Sequence, residues 1–242
     1  MEWSDKAISL GARKLGENNV VLDVFTRDQG RWAALVHGGS SKRKRALMEA
    51  GNLVSLTWKA RVDEQLGYFD GIEVDAMTGA TLLDDPQGLS ALMAITALVS
   101  AVVPERSPQK GLFDATVFLI SKLTDASLWP PLYVRWEIGL LAAIGYGLDL
   151  EKCAVTNTND GLTHVSPRTG RAVSAAIAEP YLDRLLPLPP FLLGSGLALR
   201  SNDLSNGLLL TEHFLTSRAL HPFGKEMPTA RMRLVDRLLR NR

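Results

Sequence analysis

Through the first 80 residues, apolar and polar positions alternate with period two, and beyond them the spacing turns helical. Ile8, Leu10 and Ala12 share one face of a first predicted strand, and Gly16–Asn19 turns the chain into a second, Val20–Thr26. Arg27–Gly30 is a tight connection with a glycine available for positive φ, which predicts a hairpin into the Trp32 strand, read over Gly30–Gly39 and closed by its two final glycines. Leu53–Arg61 sets Val54, Leu56, Trp58 and Ala60 against Ser55, Thr57, Lys59 and Arg61, the signature of a half-buried strand. In Gly67–Ala76, Tyr68, Ile72, Val74 and Ala76 are predicted on the face opposite Glu73 and Asp75. Five short strands with no long helix between consecutive ones predict a small closed β-barrel.

After the barrel, Asp85 and Pro86 form a helix start, and the helix is expected to stop before Pro104. Further helices are predicted over Gln109–Asp125, from Pro131 to about Gly145, over Asp203–Leu220 and over Thr229–Arg240. An excursion from Leu148 to Ser174, rich in glycine and asparagine, interrupts the helical series. The expected fold is therefore α+β and multidomain. Residues 1–80 form a five-stranded barrel of oligonucleotide/oligosaccharide-binding (OB) type, and residues 81–242 form a mostly α-helical domain with 148–174 as a loop excursion. Periodicity alone leaves an SH3-like barrel open.

The formal net charge of +1 conceals a segregated distribution. Residues 1–62 carry 11 Lys and Arg against 6 acids, residues 63–85 carry 7 acids and no Lys or Arg, and residues 213–242 carry 7 Lys and Arg against 2 acids. Segregation of this kind bears on binding fields rather than on fold. Four consecutive cations, Lys42 to Arg45, fall on what is expected to be a mobile loop beside the cationic polar face of the Leu53–Arg61 strand. Such an edge suits a polyanion, and the bland alternative is a solvated loop that keeps the protein in solution. A lone cysteine, Cys153, excludes an internal disulfide and fits a reducing, cytoplasmic setting. Glu2–Lys6 is too polar for a signal peptide, and the uncharged run from Pro86 to Val103 reads as a buried core helix rather than a membrane span.

No phosphate-cradling loop, dinucleotide fingerprint or H-E-x-x-H pattern occurs, and Gly194-Ser195-Gly196 lacks the earlier glycine of a nucleophile elbow. The four histidines are scattered, so no catalytic constellation forms and no enzymatic activity or cofactor is expected. Cys153 and His164 supply at most two of the four ligands that tetrahedral zinc needs, so no metal is expected either. Two other classes stay open. One is a protein-interaction scaffold whose basic residues only solubilise it. The other is a metal-dependent nuclease, for which Asp63–Asp85 is the only dense set of acids.

The residues from Ala7 to Arg13, Gly16-Glu17-Asn18 and Phe25 to Arg31, followed by the basic loop, resemble the amino-terminal domain of the RecO family of bacterial DNA-repair proteins. Gly145 to Thr156 and Val165 to Val173 resemble that family's central signature, and the likeness spans essentially the whole chain. It implies a non-enzymatic recombination mediator with an OB barrel and a helical domain. Such a protein binds single- and double-stranded DNA and anneals complementary strands. With RecR it helps RecA displace the single-strand binding protein SSB, whose acidic carboxy-terminal tail docks on the helical domain. Many members hold zinc on four cysteines in the loop corresponding to Cys153–Ser174. Here Thr156 and Ser174 stand where further cysteines are expected, which makes the loop a zinc ribbon that has lost its ligands.

On this reading Arg13, Lys14, Arg27, Arg31, Lys42, Arg43, Lys44, Arg45, Lys59 and Arg61 are expected to form a phosphate track on the barrel, with Trp32 stacking a base or sitting in the core. On the last helix Leu234, Val235, Leu238 and Leu239 are the expected core stripe. Arg233, Arg237 and Arg240 form a second basic surface, for DNA or the SSB tail. The expected setting is the cytoplasm, in association with the nucleoid, and no membrane partner is expected.

Overall fold

The structure, a computed structural model, describes residues 1–62, 65–194, 196–197 and 199–240. Two compact units emerge, one joining Met1–Thr124 to Pro228–Leu238 and the other joining Asp125–Met227 to the chain from Leu239. The expected compositional boundary near residue 80 falls inside the first.

The first unit is built on five strands, β1 (Glu2–Leu15), β2 (Asn19–Thr26), β3 (Gly30–Val36), β4 (Leu53–Lys59) and β5 (Tyr68–Ala76), closed in the order β1-β2-β3-β5-β4. Strand β1 starts earlier than the alternation suggests because it serves two partners. Its first half pairs with β4 (Trp3 opposite Trp58) and its second with β2 (Ala12 opposite Leu22), with an irregularity between Ser9 and Gly11. Closure comes from one parallel contact, Leu35 opposite Tyr68, where the Leu35 amide donates to the Gly67 carbonyl at 3.1 Å. This order, with a helix between the third and fourth strands, is that of an OB barrel.

Inside the barrel Val20, Leu22, Val24, Ala34, Val36, Val54 and Leu56 surround three indoles. Trp3 stacks on Trp58 at 5.8 Å, and Trp32 meets both edge-on at 5.3 and 5.1 Å. The Trp58 indole donates to the Leu66 carbonyl, and a Cβ on Gly67 would lie 2.4 Å from that indole nitrogen at a φ of +62°. Both the close approach and the backbone conformation therefore require glycine.

The outer faces of β1 and β2 are covered as well. Helix α2 (Thr78–Thr81) is a single turn, and α3 (Pro86–Val102) packs on β1 and β2. Asp85 caps α3 by accepting from the Gln87 and Gly88 amides, as predicted. Ala91, Leu92, Ala94, Ile95, Leu98 and Val99 of α3 are wholly enclosed, which explains its lack of charge. Among the described residues no helix is long and apolar enough to cross a membrane. Helix α4 (Lys110–Ser121) adds Phe113, 5.6 Å from the Phe25 ring.

Two local expectations fail for identifiable reasons. Lys42–Arg45 is not a mobile loop but the body of helix α1 (Lys42–Leu47). The Ser41 hydroxyl accepts from the Lys44 amide at its start, and the Asn52 amide donates to the Ala46 and Leu47 carbonyls at its end. Lys, Arg, Ala and Leu between two caps are good helix formers, and a run of charge does not outweigh that. In β5 the expected parity breaks. Phe69 opposes Trp58 inside the barrel, while Tyr68 is 37% exposed. The register shifts between Ser55 and Thr57, with Gly71 at φ +57°, so a bulge returns Ile72 and Val74 to the core side.

The second unit contains α5 (Trp129–Ala143), a three-stranded sheet ordered β7-β6-β8 (β6 Leu162–Val165, β7 Ala172–Ser174, β8 Leu186–Pro187), the turn α6 (Ala175–Ala178) and α7 (Asp203–Phe214), which continues as a π-helical turn through Leu220. Buried Glu137 of α5 accepts from the Thr211 hydroxyl of α7, satisfying a carboxylate that the apolar pattern of α5 conceals. Helix α8 spans Thr229–Arg240 as predicted. Its buried positions are Arg231, Leu234 and Leu238, with Val235 half-buried, whereas Leu239 is 43% exposed and does not belong to the core stripe.

Candidate nucleic-acid interface

The barrel divides its expected track residues into two groups according to what their charges already touch. Arg31 points from β3 toward the end of α3, where its guanidinium donates to Asp23, Glu105 and the Val103 carbonyl, each at 3.0 Å. Its side chain is only 16% exposed. Arg27 makes a two-pronged contact with Asp114 of α4 at 2.9 and 3.0 Å, which raises its pKa and holds the Asp114 carboxyl below the usual range. Asp28, beside it, is lowered chiefly by its hydrogen bond to Lys110. Lys59 lies 3.3 Å from Asp70 and 3.6 Å from Glu2, and the Asp70 bond raises the lysine and lowers the acid.

Asp23 behaves differently from these exposed acids. Desolvation raises its pKa more than Arg31 and the Ser100 hydroxyl lower it. It is a carboxylate that needs its arginine. Trp32 is 6% exposed, packed among the barrel indoles and covered by the Arg106 guanidinium 4.4 Å from its ring. Its expected role in stacking a base is therefore corrected to one in the core.

The remaining cations face solvent. Arg13, Lys14, Lys42, Arg43, Lys44, Arg45 and Arg61 are exposed, and among the described residues none of them lies within ion-pair distance of a carboxylate. Lys14 and Arg45 line one concavity between the β1–β2 hairpin and α1, together with Gly11, Ser40 and Met48. Lys44 reaches over the end of β3 to donate to the His37 carbonyl at 2.7 Å. Arg13 opens onto a separate hollow, which it shares with Arg31, Asp23 and Glu105. The hairpin end and α1 thus bring Lys14 and Arg45 to one concavity, with Glu49 also in its lining, while Arg27 is held by Asp114 of α4 and Arg31 by Asp23 of β2 and Glu105 of the segment between α3 and α4. That separation could not be read from the sequence, because Glu105 and Asp114 lie far along the chain.

Of the acidic belt, Asp63 and Glu64 lie outside the described residues. Asp70 faces Lys59, and Asp75 accepts from the Ser55 hydroxyl. Arg233, Arg237 and Arg240 are all exposed on α8, at the expected spacing.

The Cys153 loop does not fit a metal. Burial pushes its thiol up, but hydrogen bonds from Ser174 and Thr156 outweigh this and leave it at about 6. Its sulfur sits 3.5 Å from the Ser174 hydroxyl and accepts from the Ser174 amide at 3.4 Å. His164 Nδ1 is engaged by the Thr163 hydroxyl, and burial lowers its pKa. Among the described residues no three His, Cys, Asp or Glu side chains converge.

Residues 1–77 match the family described as "Recombination protein O N terminal", and residues 83–227 match "Recombination protein O C terminal". The DNA repair protein RecO of Hyphomonas neptunium is 49% identical over 239 residues, covering 98% of each chain. That of Rhodospirillum centenum is 50% identical over 239 residues, 98% of this chain and 94% of its own. That of Caulobacter vibrioides is 42% identical over 238 residues, 98% of each.

Proposed function

The chain belongs to the RecO family of DNA repair proteins, and on that premise we propose that it is a non-enzymatic recombination mediator that grips DNA by its phosphates. The observation that carries this reading is the row of exposed cations on α1, Lys42 to Arg45, with Lys14 of the β1–β2 hairpin beside Arg45 and, among the described residues, none of the five within ion-pair distance of a carboxylate. Phosphate contacts of this type position a strand without reading its sequence, which suits both single and double strands. The barrel within residues 1–80 is the DNA-binding domain, and residues 81–242 are the helical domain.

Arg233, Arg237 and Arg240 supply a second basic surface, for another strand or for the acidic tail of SSB. Two such surfaces would screen the repulsion between complementary strands, a route to annealing that needs no nucleotide hydrolysis. With RecR, the protein would help RecA load on SSB-coated single strands, in the cytoplasm at the nucleoid. Complementary oligonucleotides, bare or coated with SSB, are expected to anneal faster with the protein present and with neither nucleotide nor metal added. No acceleration on either substrate would rule the mediator reading out.

Pairing of Arg27, Arg31 and Lys59 with acids favours a second reading, a protein-interaction scaffold in which basic residues serve stability and solubility. Magnitudes separate the two. Exposed, solvent-screened pairs such as Lys59–Asp70 hold their partners weakly, so a phosphate can recruit the lysine. Substituting Asp70→Asn should therefore tighten DNA binding about threefold to tenfold and steepen its salt dependence, measured by fluorescence anisotropy at several salt concentrations. A scaffold would show no change.

A further inference from the structure

We propose that Tyr68 and His37 form a surface platform on which an unpaired base of single-stranded DNA stacks, an inference that rests on the DNA-binding reading above. Tyr68 opens β5 opposite Lys59 and beside Leu35 of β3, and the residue is 37% exposed. His37 directly follows β3 and is exposed, and the two rings lie 5.5 Å apart at a tilt of 57°. A single exposed aromatic side chain is ordinary on a protein surface. Two neighbouring rings set between lysines are the arrangement that sequence-tolerant single-strand binding uses, because every base has a π-face.

The neighbours define which way the strand runs. On one side Lys44 donates to the His37 carbonyl at 2.7 Å, tying the platform to α1, whose Lys42, Arg43 and Arg45 are exposed. On the other side Lys59 is held by Asp70 and Glu2, which repel phosphate. The backbone of a bound strand is thus drawn along α1 and its bases turn toward Tyr68 and His37. Other barrel aromatics among the described residues are engaged, Trp3 being partly buried and stacked on Trp58. Trp32 is enclosed under Arg106, and Phe25 on the outer face of β2 is buried against Phe113. Bases in a duplex are already stacked on one another, so the platform adds to single-strand affinity alone.

The test compares wild-type protein on oligo-dT and on an abasic oligonucleotide of equal length and phosphate count, at several salt concentrations, with a duplex as third ligand. Wild type is expected to bind the base-bearing strand about tenfold tighter than the abasic one, with similar salt slopes. Tyr68→Leu should remove most of that preference and leave duplex affinity unchanged, while Tyr68→Phe should keep it. Equal wild-type affinity for the two single strands overturns the platform, as does a Tyr68→Leu variant that retains the preference or weakens on duplex and single strand alike. If none of the three ligands binds in a salt-dependent way, the DNA-binding reading beneath it fails too.

Discussion

Replacing Lys42, Arg43, Lys44 and Arg45 together by glutamine is expected to weaken DNA binding on the order of a hundredfold at ~0.1 M salt and to flatten the dependence of log K on log salt by about 3. Each phosphate neutralised releases about 0.7 counterion from a single strand and about 0.9 from a duplex, so four lost contacts have a slope signature as well as an affinity cost. Glutamine is chosen because it preserves helix propensity, and the Ser41 and Asn52 caps remain in place, so α1 should persist. The change is confined to one exposed turn and a half, and melting temperature should stay within a few degrees of wild type. Arg27→Gln makes the matching control. Unlike Lys59, which meets Asp70 through a single nitrogen, its guanidinium would have to give up two hydrogen bonds to Asp114 to reach a phosphate, so it should alter the slope by well under one. An unchanged slope in the quadruple variant would show that α1 is not where the phosphates sit.

Much of the barrel was legible because a strand with one buried face must alternate. Val54, Leu56 and Trp58 announced β4 in this way, and the Arg27–Gly30 turn announced the β2–β3 hairpin. The start of α3 was legible too, since Asp85 followed by Pro86 has few other uses. Parity failed in β5 because a bulge inserts its extra residue without any compositional mark beyond Gly71. The candidate site was legible only as a tally of charge. Whether an arginine is available depends on which acid folding brings beside it, and Arg31 finds Glu105 from 74 positions away. Trp32 could stack or pack on sequence grounds alike, and two further indoles folding into the same barrel decided the matter. Tyr68 went unnoticed because the alternation put it on the apolar face, when the bulge exposes it.

Arg31→Met is expected to lower stability by about 2–4 kcal/mol while leaving the salt slope of DNA binding unchanged, the opposite profile from the α1 variant. Methionine matches the aliphatic stem but withdraws the donors to Asp23, Glu105 and the Val103 carbonyl. One Asp23 oxygen already lacks a partner among the described residues, and the other would keep only the Ser100 hydroxyl. Stranding a desolvated carboxylate costs far more than breaking an exposed pair, and this is what separates Arg31 from Lys59. The pH dependence carries a distinct sign. Burial already raises the Asp23 pKa above its unfolded value, so the folded state takes up the proton first, and stability falls as pH rises from about 4 through the folded pKa. Without Arg31 the carboxyl rises further, and the penalty should be full near neutral pH and shrink on acidification toward pH 4. Adding Asp23→Asn to Arg31→Met removes the stranded charge and should recover part of the loss, the coupling between the two sites exceeding about 1 kcal/mol. Thermal melts of the four proteins between pH 4 and 7.5 measure all of this. A variant that melts like wild type and binds DNA with a flatter salt slope would return Arg31 to the phosphate track and remove it from the brace between β3 and the end of α3.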